Sequence, residues 1–249
     1  MNYLFSKDSL SVLPNLAKKT TLCAFDFDGT LAPIVSHPDL AGLMPDTHTL
    51  LSQLANLYPC IVISGRARED VSSRLHNVSL QAIIGNHGAE TGAGTDPDTL
   101  IESWKISLSA GLSSTPGIWI ENKGFSLAVH YRASLQKKEA RARILHIAQS
   151  LPHVCIFGGK LVVNLAPNNA PNKGSALIAE RARLHCNWVL YVGDDENDET
   201  AFSIGGNIVS VRIGRRKQST ARFYLREQSE IDTLLKSLIA PRLPAQTML

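Results

Sequence analysis

Much that would place this chain in a familiar functional class is missing from it. It has no apolar run of the roughly 18 residues needed to cross a bilayer, and its start, MNYLFSKDSLSVLPNLAKK, lacks the sustained apolar core of a secretory leader. Neither a membrane span nor export is therefore expected. A net charge of +3 is too small to argue for a nucleic-acid or membrane partner. The basic stretch RIGRRK (212–217) reads as a solvated loop after a strand. Cysteine is scarce: Cys23, Cys60, Cys155 and Cys186 lie far apart, mostly within strand-like apolar runs. Isolated buried thiols in a reducing cytoplasm are the expectation. No Cys-x-x-Cys or His-x-x-x-His pair supports zinc. An EF-hand starting at Asp26 would need glycine at 31 and glutamate at 37, where Leu31 and His37 stand. GGK (158–160) is followed by Leu161 and is no phosphate-binding P-loop. Repeats and low-complexity linkers are absent, and the sequence does not give the oligomeric state, a monomer being one plausible state.

What is present is globular: 249 residues, 44% hydrophobic and 19% charged. Continuous apolar runs alternate with amphipathic ones. LCAFDF (22–27), CIVIS (60–64), LQAIIG (80–85), WVLYVG (188–193) and NIVSVRIG (207–214) read as strands covered on both faces. PDTHTLLSQLANL (45–57), AREDVSSRL (67–75), KGSALIAERARLH (173–185), NDETAFSI (197–204) and SEIDTLLKSL (229–238) read as helices, the first and last of them capped. That alternation implies crossover connections and a parallel sheet. The middle breaks the rhythm. After a turn-rich stretch, TGAGTDPDT (91–99), come two strand candidates, IWIE (118–121) and FSLAVHYR (125–132), then a basic helix (136–151), then VCIF and KLVVNL around the glycines. The expected organisation is an α/β, Rossmann-like parallel-sheet core from 1–88 and 168–249, with an α+β insert at 89–167.

CAFDFDGTL (23–31) poses a problem of charge. Two aspartates, Asp26 and Asp28, end an apolar run one residue apart, and in an extended chain they tend to share a face. At about 5 Å and an effective dielectric near 20 they repel by roughly 3 kcal/mol. A shared proton, a cation or exposure to water must offset that.

Ligands of open parallel sheets bind beyond the carboxyl ends of the strands. Four such ends carry polar signatures: DFDGT (26–30), SGR (64–66), GNHGAE (85–90) and GDDENDE (193–199). Each alone reads as a turn, or as acids complementing a helix start. Their joint appearance directly after buried strands points to one site. Of the eight histidines, His87 and His130 stand where a ligand could bind, although a packed or surface histidine is the default for both.

DFDGTL, SGR, the lysine of NKG (172–174) and GDDENDE resemble, in order, the four motifs of haloacid dehalogenase superfamily phosphatases. GNHGAE, ENKGFSLAVHYR and YVGDDENDETAF further resemble trehalose-6-phosphate phosphatases. The resemblance implies a Mg2+-dependent sugar-phosphate phosphatase, with Asp26 as nucleophile and Asp28 as acid and base. It implies a metal held by Asp26, the backbone carbonyl of Asp28 and Asp194, and phosphoryl oxygens held by Ser64 and Lys173. Gly65, Arg66, Asn86 and His87 fall to substrate binding, with Thr30, Asp195, Asn197 and Asp198 in support. Asp195 is open between a partner of the site and a helix-start charge. The insert is the family's cap, where Glu121 and Lys123 match sugar-contacting residues. Asn164, in VVNLAP, stands where relatives tend to carry glutamate. Trehalose 6-phosphate is the favoured substrate. The other readings are a sucrose- or glucosylglycerol-phosphate phosphatase, a phosphomutase, and a sugar-phosphate-binding regulator without turnover.

Overall fold

The structure, a computed structural model, describes residues 1–90, 98–168 and 170–243. The turn-rich stretch expected at 91–99 lies, up to residue 97, outside the described residues. The chain divides into two compact units, Met1–Gly88 with Lys173–Leu249, and Ala89–Asn172.

The first unit begins with β1 (Asn2–Tyr3), α1 (Val12–Ala17), β2 (Thr21–Phe25), α2 (Pro45–Leu57), β3 (Cys60–Ile63), α3 (Arg68–Arg74) and β4 (Ala82–Ile84). The second unit holds α4 (Asp98–Leu112), β5 (Trp119–Asn122), β6 (Leu127–His130), α5 (Lys137–Ala148), β7 (Val154–Gly159) and β8 (Val162–Pro167). The first unit then resumes with α6 (Lys173–Arg183), β9 (Trp188–Gly193), α7 (Glu199–Phe202), β10 (Ile208–Ile213), β11 (Phe223–Leu225) and α8 (Ile231–Ile239).

In the first unit seven parallel strands run in the order β1-β11-β10-β9-β2-β3-β4. Alternate residues of the central strands enter opposite cores. Phe25, Val62 and Val192 pack with Leu51 and Leu54 of α2 and Leu234 and Leu238 of α8. Ala24, Ile61, Ile63 and Tyr191 pack with Ala176 and Leu177 of α6 and Phe202 of α7. Each buried leucine or isoleucine contributes about 1.5–3 kcal/mol, which is why these strands read as unbroken apolar runs.

Several local expectations change. Neither α2 nor α8 receives a side-chain cap. Instead α2 opens on Pro45, whose fixed φ and missing N–H suit a first turn, and Thr47 donates to Asp232 of α8 at 2.7 Å. Cys23 and Cys60 are not isolated, because β2–β3 register sets them side by side as free thiols; Cys155 is exposed. A mutual hydrogen bond and then burial push the Cys60 thiol up and keep it protonated. RIGRRK is not wholly a solvated loop: Arg212 lies within β10 and is buried.

The second unit is a four-stranded antiparallel sheet, β5-β6-β8-β7, with one face packed against α4 and α5 through Trp104, Leu108, Ile144, Leu127, Val129, Val163 and Leu165. The sequence reading assigned no helix over α4. On the opposite face, register sets Glu121, Ala128, Asn164 and Phe157 in one row across the strands. The neighbouring row begins with Trp119 paired to His130.

Candidate active site

Register builds the site. Phe25 aligns with Val62 of β3 and Val192 of β9, so Asp26, Ser64 and Asp194 leave three adjacent strands at one carboxyl edge. The Asp26 N–H donates to the Val192 carbonyl at 2.9 Å and fixes that level.

Asp26 is buried, and Lys173, at the start of α6, is 1% exposed. The Lys173 Nζ lies 2.8 Å from Asp26 Oδ1 and 2.7 Å from Asp198 Oδ1. Burial, with the charges of Asp198 and Asp194 behind it, pushes the Asp26 carboxyl well up against the pull of Lys173. Burial would discharge Lys173, but its two carboxylates outweigh that and hold it charged. A lysine ammonium has three donors; two go to these carboxylates, leaving the third for an incoming oxygen.

Asp28 takes a different cation. Arg66 forks onto it, Nε to Oδ2 at 2.6 Å and Nη2 to Oδ1 at 2.7 Å. Arg66 also bonds Asp70 at 2.8 Å, which is bonded in turn by Arg74 at 2.8 Å, and it lies over the Phe27 ring. The repulsion between the two aspartates is thus met by two cations, one buried and one at the rim. β2 ends at Phe25, so strand alternation no longer governs where they point.

The acidic loop sorts its charges one by one. Asp198 Oδ1 accepts from Lys173 and from the Tyr191 hydroxyl, and its Oδ2 accepts from the backbone N–H groups of Asp194 and Asp195. Four donors fill the four acceptor positions of a carboxylate. Asp195 caps the turn Glu196–Asp198 through its bond from the Glu196 N–H. Glu196 pairs with Arg216, and Glu199 with Arg212 and Thr220. Among the described residues, no hydrogen bond reaches the Asp194 side chain. Burial, and the charges of Asp198 and Asp195, push it up to about 7.

Ligand oxygens of Asp26, Asp194 and Asp198 lie within 4.8 Å of one another. Since Asp198 is saturated, the carboxylates open to a cation are Asp26 and Asp194. An all-oxygen, anionic and partly buried donor set fits a hard divalent ion such as magnesium. Gly29, at φ +82°, lets the chain pass this close: a Cβ there would stand 2.2 Å from Asp194 Oδ2.

Ser64 is fully buried, and its Oγ accepts from the Arg66 N–H at 3.1 Å, leaving its own proton to donate elsewhere. The Asn86 and His87 N–H groups bond the Arg66 and Ser64 carbonyls, each at 2.8 Å, so the loop after β4 backs this turn. Both residues have positive φ, 47° and 58°, a strained backbone for non-glycine residues. The His87 ring fills the space beside Gly65. Arg66 is thereby placed on Asp28. Thr30 Oγ1 and Asn197 Oδ1 are buried without a hydrogen-bond partner among the described residues.

In the second unit His130 Nε2 lies 2.9 Å from Glu121 Oε2, Lys123 Nζ lies 4.0 Å from the same oxygen, and Asn164 is buried. The Trp119 and His130 rings stack with centroids 4.0 Å apart. Sequence reasoning missed Tyr191, Arg212, Asp70 and Trp119. The signal for Tyr191 and Arg212 was present, as each is a polar group inside an apolar strand run.

Solved structures share this fold, with a parallel-sheet unit and an antiparallel-sheet unit in one chain. The C. albicans trehalose-6-phosphate phosphatase C-terminal domain superposes with a TM-score of 0.78 at 23% identity, over 93% of this chain and 96% of that one, a likeness of fold. Residues 24–229 match the trehalose-phosphatase family, and the chain belongs to it. A probable trehalose-phosphate phosphatase 4 of Oryza sativa subsp. japonica is 26% identical over 89% of this chain and 66% of its own length. A trehalose-phosphate phosphatase of Mycobacterium tuberculosis is 30% identical over 80% of this chain and 54% of its own. The chain thus spans between half and two thirds of those curated relatives. No helix among the described residues is long and apolar enough to cross a membrane.

Proposed function

We propose that the chain hydrolyses trehalose 6-phosphate to trehalose and phosphate in two steps through an aspartyl-phosphate on Asp26. The observation that carries this reading is the buried Asp26–Lys173–Asp198 array beside a second, differently paired carboxylate, Asp28. In the first step an Asp26 oxygen bonds phosphorus, the bond from phosphorus to the sugar oxygen breaks, and protonated Asp28 gives that oxygen its proton. In the second, Asp28 takes a proton from water, whose oxygen bonds phosphorus as the bond to Asp26 breaks. Lys173, through its third N–H, and Ser64 hold the phosphoryl oxygens. Arg66 orients Asp28 and keeps Asp70 as its own anchor while Asp28 exchanges its proton. Magnesium, held by Asp26, Asp194 and the Asp28 carbonyl, would neutralise charge between the anionic nucleophile and the anionic phosphoryl group. Asn86 and His87 support substrate binding by bracing the Ser64–Arg66 turn.

The test is phosphate release from a panel of sugar phosphates with and without magnesium. We expect trehalose 6-phosphate to be preferred and chelation of the metal to stop turnover, with restoration on adding magnesium back. Full activity after exhaustive chelation would sink the metal reading, and a preference for a sucrose- or glucosylglycerol-type phosphate would sink the substrate reading.

Sugar recognition is assigned to Glu121, Lys123 and Asn164, because Glu121 and Asn164 share one cross-strand row on the face without helices. Phosphate-handling groups cannot tell one sugar ester from another, so discrimination needs groups that meet sugar hydroxyls, and truncating one leaves others unpaired. Glu121→Ala is expected to lower kcat/KM for trehalose 6-phosphate by at least about tenfold, with little change for a small aryl phosphate. An equal fall on both substrates would show that Glu121 acts through folding alone. The amide of Asn164, where the family resemblance implies a glutamate, favours one second reading, another glycosyl phosphate. Asn164→Glu should then shift preference towards trehalose 6-phosphate.

A further inference from the structure

Arg212 has no place in the scheme above, yet it makes three hydrogen bonds, all to the acidic loop and the turn that follows it. It projects from β10, is 6% exposed, and directs its guanidinium beneath the acidic loop rather than into solvent. Nη2 donates to the Asp194 carbonyl, and Nη1 donates to the Asp195 carbonyl at 3.0 Å and to Glu199 Oε1 at 3.3 Å. Glu199 is itself held by the Thr220 N–H and hydroxyl, each at 2.8 Å. From the other side, Asp198 binds the N–H groups of the same two residues, Asp194 and Asp195, each at 2.9 Å.

The backbone of Asp194 and Asp195 is thus clamped at both its carbonyls and its N–H groups. Of the acids Asp194, Asp195, Glu196, Asp198 and Glu199, all but Asp194 have their side chains in hydrogen bonds or ion pairs within the loop and its neighbours. We infer that Arg212 is a positioning residue for magnesium: its fork fixes the backbone from which Asp194 presents the one uncommitted carboxylate, and its charge offsets the crowding of acids there. The inference rests on the magnesium reading above. An arginine suits the task because its planar fork reaches two carbonyls at once, which a lysine ammonium does only loosely. Groups that orient metal ligands from behind typically govern metal affinity by about 10–100-fold.

Magnesium binding to the whole protein, measured by calorimetry without substrate, tests this. Arg212→Met keeps the buried stem and removes fork and charge. It is expected to weaken magnesium by at least about tenfold while melting as one cooperative unit, and excess magnesium should restore most of its kcat. Arg212→Lys should fall between wild type and Arg212→Met, and it carries the test alone if the methionine variant does not fold. Wild-type magnesium affinity in a folded Arg212→Met, or in Arg212→Lys where only that variant folds, overturns the inference and leaves the metal reading standing. A wild-type protein that binds no magnesium overturns both.

Discussion

Asp26→Asn is expected to abolish turnover, by about 10⁴-fold or more, the scale on which loss of a nucleophile is felt. The amide keeps the size of the carboxylate and can still accept from Lys173, so the seven-stranded sheet should be undisturbed. The melting temperature should match or exceed wild type, because burial already penalises the Asp26 charge and Lys173 retains Asp198 as partner. Rapid acid quench of wild type with substrate should trap a phosphoryl group on Asp26, found by peptide mass. Its appearance on another residue, or a variant that still turns over at a tenth of the wild-type rate, would remove Asp26 from the nucleophile's role.

Lys173→Met should combine a large loss of rate with a large loss of stability. Lys173 is enclosed between Asp26 and Asp198, at 2.8 and 2.7 Å, and removing one partner of a buried ion pair costs about 3–5 kcal/mol. Turnover should fall by about 10²–10³ from loss of a donor to the phosphoryl oxygens. The two effects are separable. Adding Asp198→Asn removes one of the stranded charges and should recover part of the melting temperature, with no recovery of rate. The coupling is read from the double-mutant cycle. A double variant whose rate returned with its stability would mean that Lys173 serves only the fold.

The core strands, and the polar residues that gather at their carboxyl edge, were legible because burial on both faces leaves an unbroken apolar run, and polar residues at its end stand out. Pro45–Leu57 emerged from its leucine spacing with the same bounds as α2. Other elements were not legible, each for a physical reason. In α4 the spacing of Ile101, Trp104, Leu108 and Leu112 is helical, but serines and a glycine dilute it. β1 and β11, of two and three residues, are too short to show a period and exist because the sheet edge offers them partners. The helix caps failed because Pro45 and contacts between helices replaced them.

By itself the sequence determined which residues end each central strand, and so which carboxylates, hydroxyls and cations could share one edge. It posed the repulsion between Asp26 and Asp28 without resolving it. Only the tertiary structure decided which charge neutralises which: Asp26 meets Lys173, Asp28 meets Arg66, Asp198 is saturated, and Asp194 is left open to a cation. The reason is that Coulomb energy depends on distance in space. Those distances are set by the β9-β2-β3 register, which sets Val192 and Val62 on either side of Phe25 although they are far apart along the chain.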